Sequence, residues 1–231
     1  MRDLRQRTIT SVLYGAIVLI AVVGPLPLMV LLALGLLVGA ELEVARLTRG
    51  GRWPNWPLRF WALIVFVGLG SLVALKAFGP SAAHHEWADN LPVWLILAIV
   101  PTWAADIAAY VVGSHWGRRQ IAPRISPGKT WEGTIAGIAA AALVAVGIGA
   151  LFGLPRVSVA VSALALGPVA FLGDLAESAL KRHAGVKDSG TILPGHGGVL
   201  DRVDSLLAAG PLVAILAMVT VIAERSGMMG P

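Results

Sequence analysis

Apolar residues are grouped along this chain in long runs, separated by short polar segments. The runs end at proline, glycine or clusters of charge, and they cover residues 9–24, 26–46, 59–78, 91–113, 133–154, 157–181 and 203–223. A helix rises about 1.5 Å per residue, so about 20 apolar residues are needed to cross a hydrocarbon core of ~30 Å. The pattern therefore predicts an all-α, polytopic transmembrane helical bundle of about seven spans.

The first two runs leave a second arrangement open. The first run is short, and Gly24, Pro25 and Pro27 form the turn into the second, so the pair could instead be a re-entrant hairpin. Basic residues precede the first run as they do in a signal peptide, but no convincing small-residue cleavage site follows before the second run. We therefore expect an uncleaved first span.

Composition and charge agree with a membrane location. Hydrophobic residues make up 57% of the chain, charged residues only 13%, and the mean hydropathy is +0.79, which leaves too little polar surface to cover a soluble globule. The absence of cysteine excludes disulfides, thiolate zinc sites and cysteine nucleophiles. The net charge of +5 does not indicate a nucleic-acid partner, because the positions of Lys and Arg matter more in a membrane chain.

The distribution of basic residues predicts the orientation. With the N-terminus in the cytoplasm, all of the 18 Lys and Arg residues except Lys76, Arg156 and Arg225 lie on the cytoplasmic side or at its boundary. Cytoplasmic loops of membrane proteins carry such an excess of Lys and Arg. We expect a multi-pass protein of the cell inner (cytoplasmic) membrane.

The sixth run carries ionisable groups where lipid-facing residues would be expected. Asp174, Ser178, Lys181 and Arg182 follow the spacing i, i+4, i+7 and i+8, which places them on one face of a helix. An ionisable group inside a span costs at least ~2.5 kcal/mol on insertion scales, so such groups usually persist in a polar cavity or a functional site.

Two further carboxylates open the last predicted helix. Asp201 and Asp204 are three residues apart and share a face. Acidic groups at a helix N-terminus are also ordinary partners of the free N–H groups and of the helix dipole. Together with Asp174 they could form a cluster of hard oxygen ligands suited to Mg²⁺.

A second polar segment lies between the fourth and fifth runs. Ser126, Lys129 and Thr130 belong to the segment S-P-G-K-T-W-E-G directly before a predicted helix, where free N–H groups and the helix dipole favour phosphate. The spacing of a P-loop is missing, and the segment could equally be a basic turn with a helix cap.

Isolated polar and small residues within the runs complete the pattern. Asp106 lies inside the fourth run, either as a buried carboxyl that is neutralised or as part of the wall of the same polar cavity. Glu41 and Glu43 lie at the end of the second run, where solvation at the membrane interface accounts for them, so we assign them no role. Gly133 and Gly137 are expected to serve close helix packing.

The polar segments together resemble a known enzyme family. The matching positions are Ser178-Ala-Leu-Lys181-Arg182, then after four residues Lys187-Asp188-Ser-Gly, and then Pro194-Gly-His196-Gly-Gly-Val-Leu-Asp201-Arg202-Val-Asp204. This run is similar, without a mismatch, to the signature of the phosphatidate cytidylyltransferase family. The segments that begin at Asp106 and Ser126 are similar to the other polar blocks of that family.

The resemblance implies a reaction and a division of the chain. CTP, or dCTP, and phosphatidic acid would give CDP-diacylglycerol and pyrophosphate in phospholipid biosynthesis, with Mg²⁺ and, as a candidate second cation, K⁺. Residues 1–100 would be a lipid-facing scaffold and residues 101–231 the catalytic region with its cytoplasmic loops. A homodimer is compatible with this resemblance.

The resemblance and the residue chemistry together predict three sets of site residues. The metal ligands are expected among Asp174, Asp201, Asp204 and Asp106, the last two as weaker candidates. The catalytic residues are expected to be Asp174, Asp201, Lys181, Arg182, Ser178 and His196. The substrate-binding residues are expected to be Ser126, Lys129, Thr130, Lys187, Asp188 and Arg202. For His196, hydrogen bonding to phosphate, proton transfer and bracing of the glycine-rich turn all stay open.

Other classes of membrane protein agree less well with the sequence. In a cation-coupled membrane transporter, the intramembrane carboxylates would form a cation pathway, but the polar groups cluster towards one side and leave no second gate. A CDP-alcohol phosphotransferase or a lipid phosphatase would use similar lipids, but the D-G-x-x-A-R block of the former and the paired Arg and His blocks of the latter are missing from the sequence.

Overall fold

The computed structural model describes residues 2–49, 56–79, 91–192 and 197–226. Within these ranges the chain forms seven helices and one short hairpin of two strands. The helices are α1 Arg2–Val23, α2 Leu26–Arg49, α3 Trp56–Phe78, α4 Val93–Trp116, α5 Trp131–Phe152, α6 Arg156–His183 and α7 Leu200–Arg225. Each helix overlaps one of the seven predicted runs, and the ends differ by at most three residues, except that α1 begins seven residues before its run.

Six of the described helices, α2 to α7, are long and apolar enough to cross a membrane. The apolar part of α1 is shorter and covers Val12–Val23. Many large hydrophobic side chains on these helices are exposed on the outside of the bundle, as expected for surfaces that face lipid rather than water. The prediction of a helical membrane bundle is confirmed, and the protein is a multi-pass membrane protein.

Helices α4 and α5 are in backbone contact along one side of the bundle. A Cβ atom added at Gly133 would lie 2.6 Å from the carbonyl oxygen of Ala109, and one added at Gly137 would lie 2.8 Å from that of Ala105. Both distances are shorter than a carbon atom allows, so only glycine permits this approach. The prediction that these two glycines serve helix packing is confirmed.

The hairpin joins α4 to α5. Strand β1 (Gln120–Ala122) pairs with strand β2 (Ser126–Thr130) in antiparallel fashion. The Glu132 carboxylate, in the first turn of α5, accepts hydrogen bonds from the backbone N–H groups of Arg118 at 3.1 Å and Arg119 at 3.3 Å. These bonds fix the base of the hairpin to the start of α5. We refer below to the end of the bundle that carries this hairpin as the hairpin end.

Lys76 ties the turn between α1 and α2 to α3. Its ammonium group donates to three backbone carbonyls, those of Ala21 at 2.8 Å, Val22 at 2.6 Å and Gly24 at 2.7 Å. The last carbonyls of a helix have no partner within the helix, and a lysine can satisfy them. This contact explains the position of one of the three basic residues that depart from the predicted charge distribution.

Candidate functional site

A cavity of about 480 Å³ opens at the hairpin end, between α4, α5, α6, α7 and strand β2. Most of the site residues predicted from the sequence line it. These are Asp106, Ser126, Lys129, Thr130, Asp174, Lys181, Asp188, Asp201, Arg202 and Asp204. Residues from both polar segments and from the intramembrane position 106 thus meet in one space.

Three of the predicted residues do not line the cavity in the described structure. Ser178 is buried behind it, and its hydroxyl donates to Asp174 Oδ1 at 3.4 Å. Lys187 is exposed in the loop after α6. The third is Arg182, which is exposed beside the hairpin. His196 lies outside the described residues.

Arg182 joins the hairpin to the loop that follows α6. Its Nε donates to the carbonyl of Ile125 at 2.9 Å, and its Nη1 donates to the carbonyl of Val186 at 2.8 Å. Ile125 belongs to the turn between the two strands, so one guanidinium holds two backbone segments beside the cavity. The planar, multiply donating guanidinium is suited to such a double contact.

Three carboxylates lie close together beside the cavity, two of them, Asp174 and Asp204, in its lining. Asp174 and Glu177 on α6 and Asp204 on α7 each offer an oxygen, and these oxygens all lie within 4.8 Å of one another. Such a set of carboxylate oxygens is the kind of donor that Mg²⁺ and Ca²⁺ prefer. The cluster could hold a divalent cation.

Glu177 supplies the observation that favours a cation here. Its side chain is 0% exposed, and neither of its oxygens accepts a properly oriented hydrogen bond from the described part of the chain. The Lys181 ammonium does lie 2.5 Å from Oε2. That ammonium is shared with Asp201, so one cation is set against two carboxylates. Because a buried carboxylate whose charge is not fully paired is costly, the residues present fit a bound metal ion.

Glu177 was missed by the sequence reasoning, although a signal was present. It follows Asp174 by three residues and precedes Lys181 by four, and both spacings place side chains on one helical face. The helical face predicted from the sequence contained Asp174, Ser178 and Lys181 but not Glu177.

Asp201 shares the cavity with Asp174, but its oxygens contact protein donors. Oδ1 accepts from Lys181 Nζ at 2.6 Å. Oδ2 accepts from the backbone N–H groups of Gly198 at 2.8 Å and Ser189 at 3.0 Å, and it also lies 3.0 Å from the Ser189 hydroxyl. Asp201 therefore fixes Lys181 and the preceding loop, and its part as a metal ligand stays a prediction.

Lys129 and Thr130 have different surroundings although they are adjacent. Lys129 forms an ion pair with Asp174, and its ammonium lies 4.7 Å from the centre of the Phe171 ring. Thr130 caps α5, because its Oγ1 accepts from the backbone N–H of Gly133 at 3.2 Å. The alternative of a basic turn with a helix cap thus holds for Thr130, and phosphate binding by Lys129 stays a prediction.

Asp106 lies on the cavity wall formed by α4. Its Oδ1 is 3.5 Å from the hydroxyl of Ser205 on α7. Two interpretations of this intramembrane carboxyl were open. Its position agrees with the interpretation that it is part of the wall of a polar cavity.

Glu43 was misjudged. We attributed it to solvation at the membrane interface, but its side chain is 0% exposed and contacts the loop and helix start next to Asp201. The explanation by solvation is wrong for Glu43, because the end of a helix can be covered by a loop distant in sequence, which no local pattern reveals.

The chain belongs to the cytidylyltransferase family, whose model matches residues 57–220. A protein from Pseudomonas aeruginosa named phosphatidate cytidylyltransferase is 39% identical over 172 residues, which are 72% of this chain and 58% of that protein. The protein of the same name from Brucella suis is 41% identical over 192 residues, 82% of this chain and 66% of that protein. One from Synechocystis is 44% identical over 151 residues, 63% of this chain and 50% of that protein. The chain thus spans between half and two thirds of the length of these relatives.

Proposed function

We propose that the chain is a phosphatidate cytidylyltransferase that transfers CMP from CTP to phosphatidic acid. The observation that carries the proposal is the cluster of Asp174, Glu177 and Asp204 beside one cavity at the end of a membrane bundle. Two lysines, Lys129 and Lys181, line the same cavity and contact these carboxylates. Membership of the cytidylyltransferase family and the names of the relatives support it, and they favour it over the cation-coupled transporter.

The proposed reaction joins two polyanions. An oxygen of the phosphatidate phosphate attacks the α-phosphorus of CTP, the bond from that phosphorus to the oxygen bridging to the β-phosphate breaks, and pyrophosphate leaves with that oxygen. Such transfers depend on positioning and on neutralisation of charge more than on covalent help from the protein. No general base is required, because a phosphate monoester is already ionised near neutral pH.

In this proposal the divalent cation is Mg²⁺, and Asp174, Glu177 and Asp204 would hold it. When bound it supplies positive charge that offsets the charge on the phosphates. Asp106, on the facing wall, would be available to a second, monovalent cation such as K⁺. The ligand set predicted from the sequence thereby changes in one respect, since Glu177 takes the place given to Asp201.

The basic side chains of the chain itself would hold the phosphates. Lys129 on β2 contacts Asp174, and Lys181 on α6 contacts both Glu177 and Asp201, so both ammonium groups are already held at the cavity. Substrate contacts are proposed for the remaining residues of the predicted set, which are Ser126, Thr130, Lys187, Asp188 and Arg202. Residues 101–231 would then carry the reaction, with the hairpin end in the cytoplasm and the protein in the inner membrane.

Purified protein in detergent micelles containing phosphatidic acid provides the test. With Mg²⁺ and each nucleoside triphosphate in turn, we expect pyrophosphate release with CTP or dCTP and none with the other nucleotides or without the lipid. Asp174→Asn should abolish the release, while Glu224→Gln, an exposed carboxylate near the other end of α7, should not. No CTP-dependent release by the unaltered protein, or cation flux in proteoliposomes without nucleotide, would contradict the proposal.

A further inference from the structure

The buried Glu43 on α2 contacts the start of α7, the helix that carries Asp201 and Asp204. Its Oε1 accepts from the backbone N–H of Val199 at 2.9 Å, and its Oε2 accepts from that of Leu200 at 2.9 Å. Helix α7 begins at Leu200, and its own N-cap residue makes no side-chain cap. Two N–H groups at this helix start, where the helix supplies no partner, are therefore satisfied by a carboxylate from another helix.

This contact requires a carboxylate rather than any polar side chain. Two consecutive backbone N–H donors point at two different oxygens, and only a carboxylate presents two acceptors. Glutamine would turn an NH₂ group towards one of these donors. Aspartate is shorter by one methylene and would not reach the same two groups.

Ser189 connects Glu43 with Asp201. Its hydroxyl lies 2.9 Å from Glu43 Oε2 and 3.0 Å from Asp201 Oδ2. The single hydroxyl proton is therefore shared between these two carboxylate oxygens. Asp201 in turn pairs with Lys181, and Lys181 lies against Glu177 of the three-carboxylate cluster. A continuous set of contacts thus leads from α2 to the cavity.

The neighbouring glycines leave room for the Glu43 carboxylate. A Cβ atom at Gly190 would lie 2.3 Å from Glu43 Oε1, and one at Gly198 would lie 2.5 Å from Oε2 and 2.0 Å from the Ser189 hydroxyl. The loop is therefore folded closely around this one side chain. Two glycines of the polar signature segment are accounted for by a residue that lies outside residues 57–220, the part matched by the family model.

We infer that Glu43 is a positioning residue of the proposed reaction, which sets the start of α7 and, through Ser189, the orientation of Asp201 and Lys181. The inference rests on the proposed function and adds a residue from the N-terminal helices to the site. It predicts that loss of the Glu43 carboxylate weakens cation binding at the cavity and slows turnover, beyond any effect on stability.

The test compares Mn²⁺ binding by the full chain in detergent, measured by electron paramagnetic resonance, which needs neither CTP nor turnover. The variants are Glu43→Gln, Ser189→Ala and, as a matched control, Glu41→Gln, which removes a partly exposed carboxylate two residues away on the same helix. We expect Glu43→Gln to raise the Mn²⁺ dissociation constant about tenfold, in line with the loss of hydrogen bonds to a charged group. Ser189→Ala should raise it about threefold, with a melting temperature like that of the control.

The outcomes separate positioning from plain structural support. If Glu43→Gln only lowers the melting temperature while the folded protein binds Mn²⁺ as the control does, the inference fails. If Glu43→Gln cannot be purified folded, Ser189→Ala decides, because it leaves both backbone contacts of Glu43 in place; unchanged Mn²⁺ binding and an unchanged kcat would then overturn the inference. No Mn²⁺ binding by the unaltered protein would overturn it as well. A lack of CTP-dependent pyrophosphate release contradicts the proposed function alone, since the Mn²⁺ comparison does not depend on it.

Discussion

Lys129 on strand β2 and Asp174 on helix α6 form an ion pair in the lining of the cavity, 45 residues apart in sequence. The pair joins the two polar segments that the sequence showed separately. Lys129 also contacts the Phe171 ring, one turn before Asp174 on the same helix. The hairpin is thus held to the helix that carries two of the three clustered carboxylates.

The ion pair makes Lys129 sensitive to substitution. Lys129→Met should lower kcat/KM for CTP by about 30-fold, because it removes the ammonium proposed to hold a phosphate and leaves Asp174 without its ion-pair partner; losing a charge-assisted contact with substrate costs about 2 kcal/mol. Steady-state pyrophosphate release measures this. Arg124→Met, which removes an exposed cation from the turn of the same hairpin, is the control and should have little effect; equal losses in both variants would contradict a specific role of Lys129.

The cation should stabilise the folded protein. A ligand that binds only the native state stabilises it by about 2.7 kcal/mol at a hundred times its dissociation constant, so Mg²⁺ or Mn²⁺ should raise the melting temperature and a chelator should reverse this. Glu177→Gln should remove the rise, because Glu177 belongs to the three-carboxylate cluster. A full rise in Glu177→Gln, with loss of the rise in Asp201→Asn, would show that Asp201 and not Glu177 is the ligand.

Thr130 should act through the start of α5. Thr130→Ala removes the cap on the Gly133 N–H and should cost about 1 kcal/mol of stability, while Thr130→Ser keeps the hydroxyl and should behave like the unaltered protein. Thermal unfolding in detergent measures the difference. The proposed substrate contact of Thr130 predicts in addition a rise in KM for CTP in Thr130→Ala. An unchanged KM would contradict that contact, and unchanged stability would contradict the role of the cap.

Lys76 should matter for stability and not for turnover. Lys76→Met leaves three carbonyls at the end of α1 without their donor, which should cost about 2 kcal/mol and expose the turn between α1 and α2 to proteolysis. The cavity residues are untouched, so kcat per folded molecule should stay within about twofold. A loss of activity at normal stability would contradict this separation of the two ends of the bundle.

The sequence predicted the spans well because apolar runs report directly on burial in lipid. It also predicted that Asp174 and Lys181 share a face, since helical spacing is local. The hairpin was not predicted: the strand Ser126–Thr130 contains proline and glycine and lacks the alternation typical of strands.

The contacts of Glu43 could not be predicted for another reason. Its hydrogen-bond partners lie 146 to 157 residues further along the chain, and nothing in the periodicity of α2 indicates which loop will cover its end. Such pairings depend on how the helices assemble. The metal ligands could not be identified from the sequence for the same reason. Whether Asp201 faces an ion or a lysine depends on the loop that packs against it.

The backbone contact between α4 and α5 has a consequence for the size of the cavity. Asp106 stands on α4 within one turn of this contact, and α5 supplies Gly133 and Gly137 to the cavity lining. A single methyl group at either glycine would push the two helices apart and shift the carboxylate away from the opposite wall. The width of the cavity therefore depends on the absence of a side chain at Gly133 and Gly137.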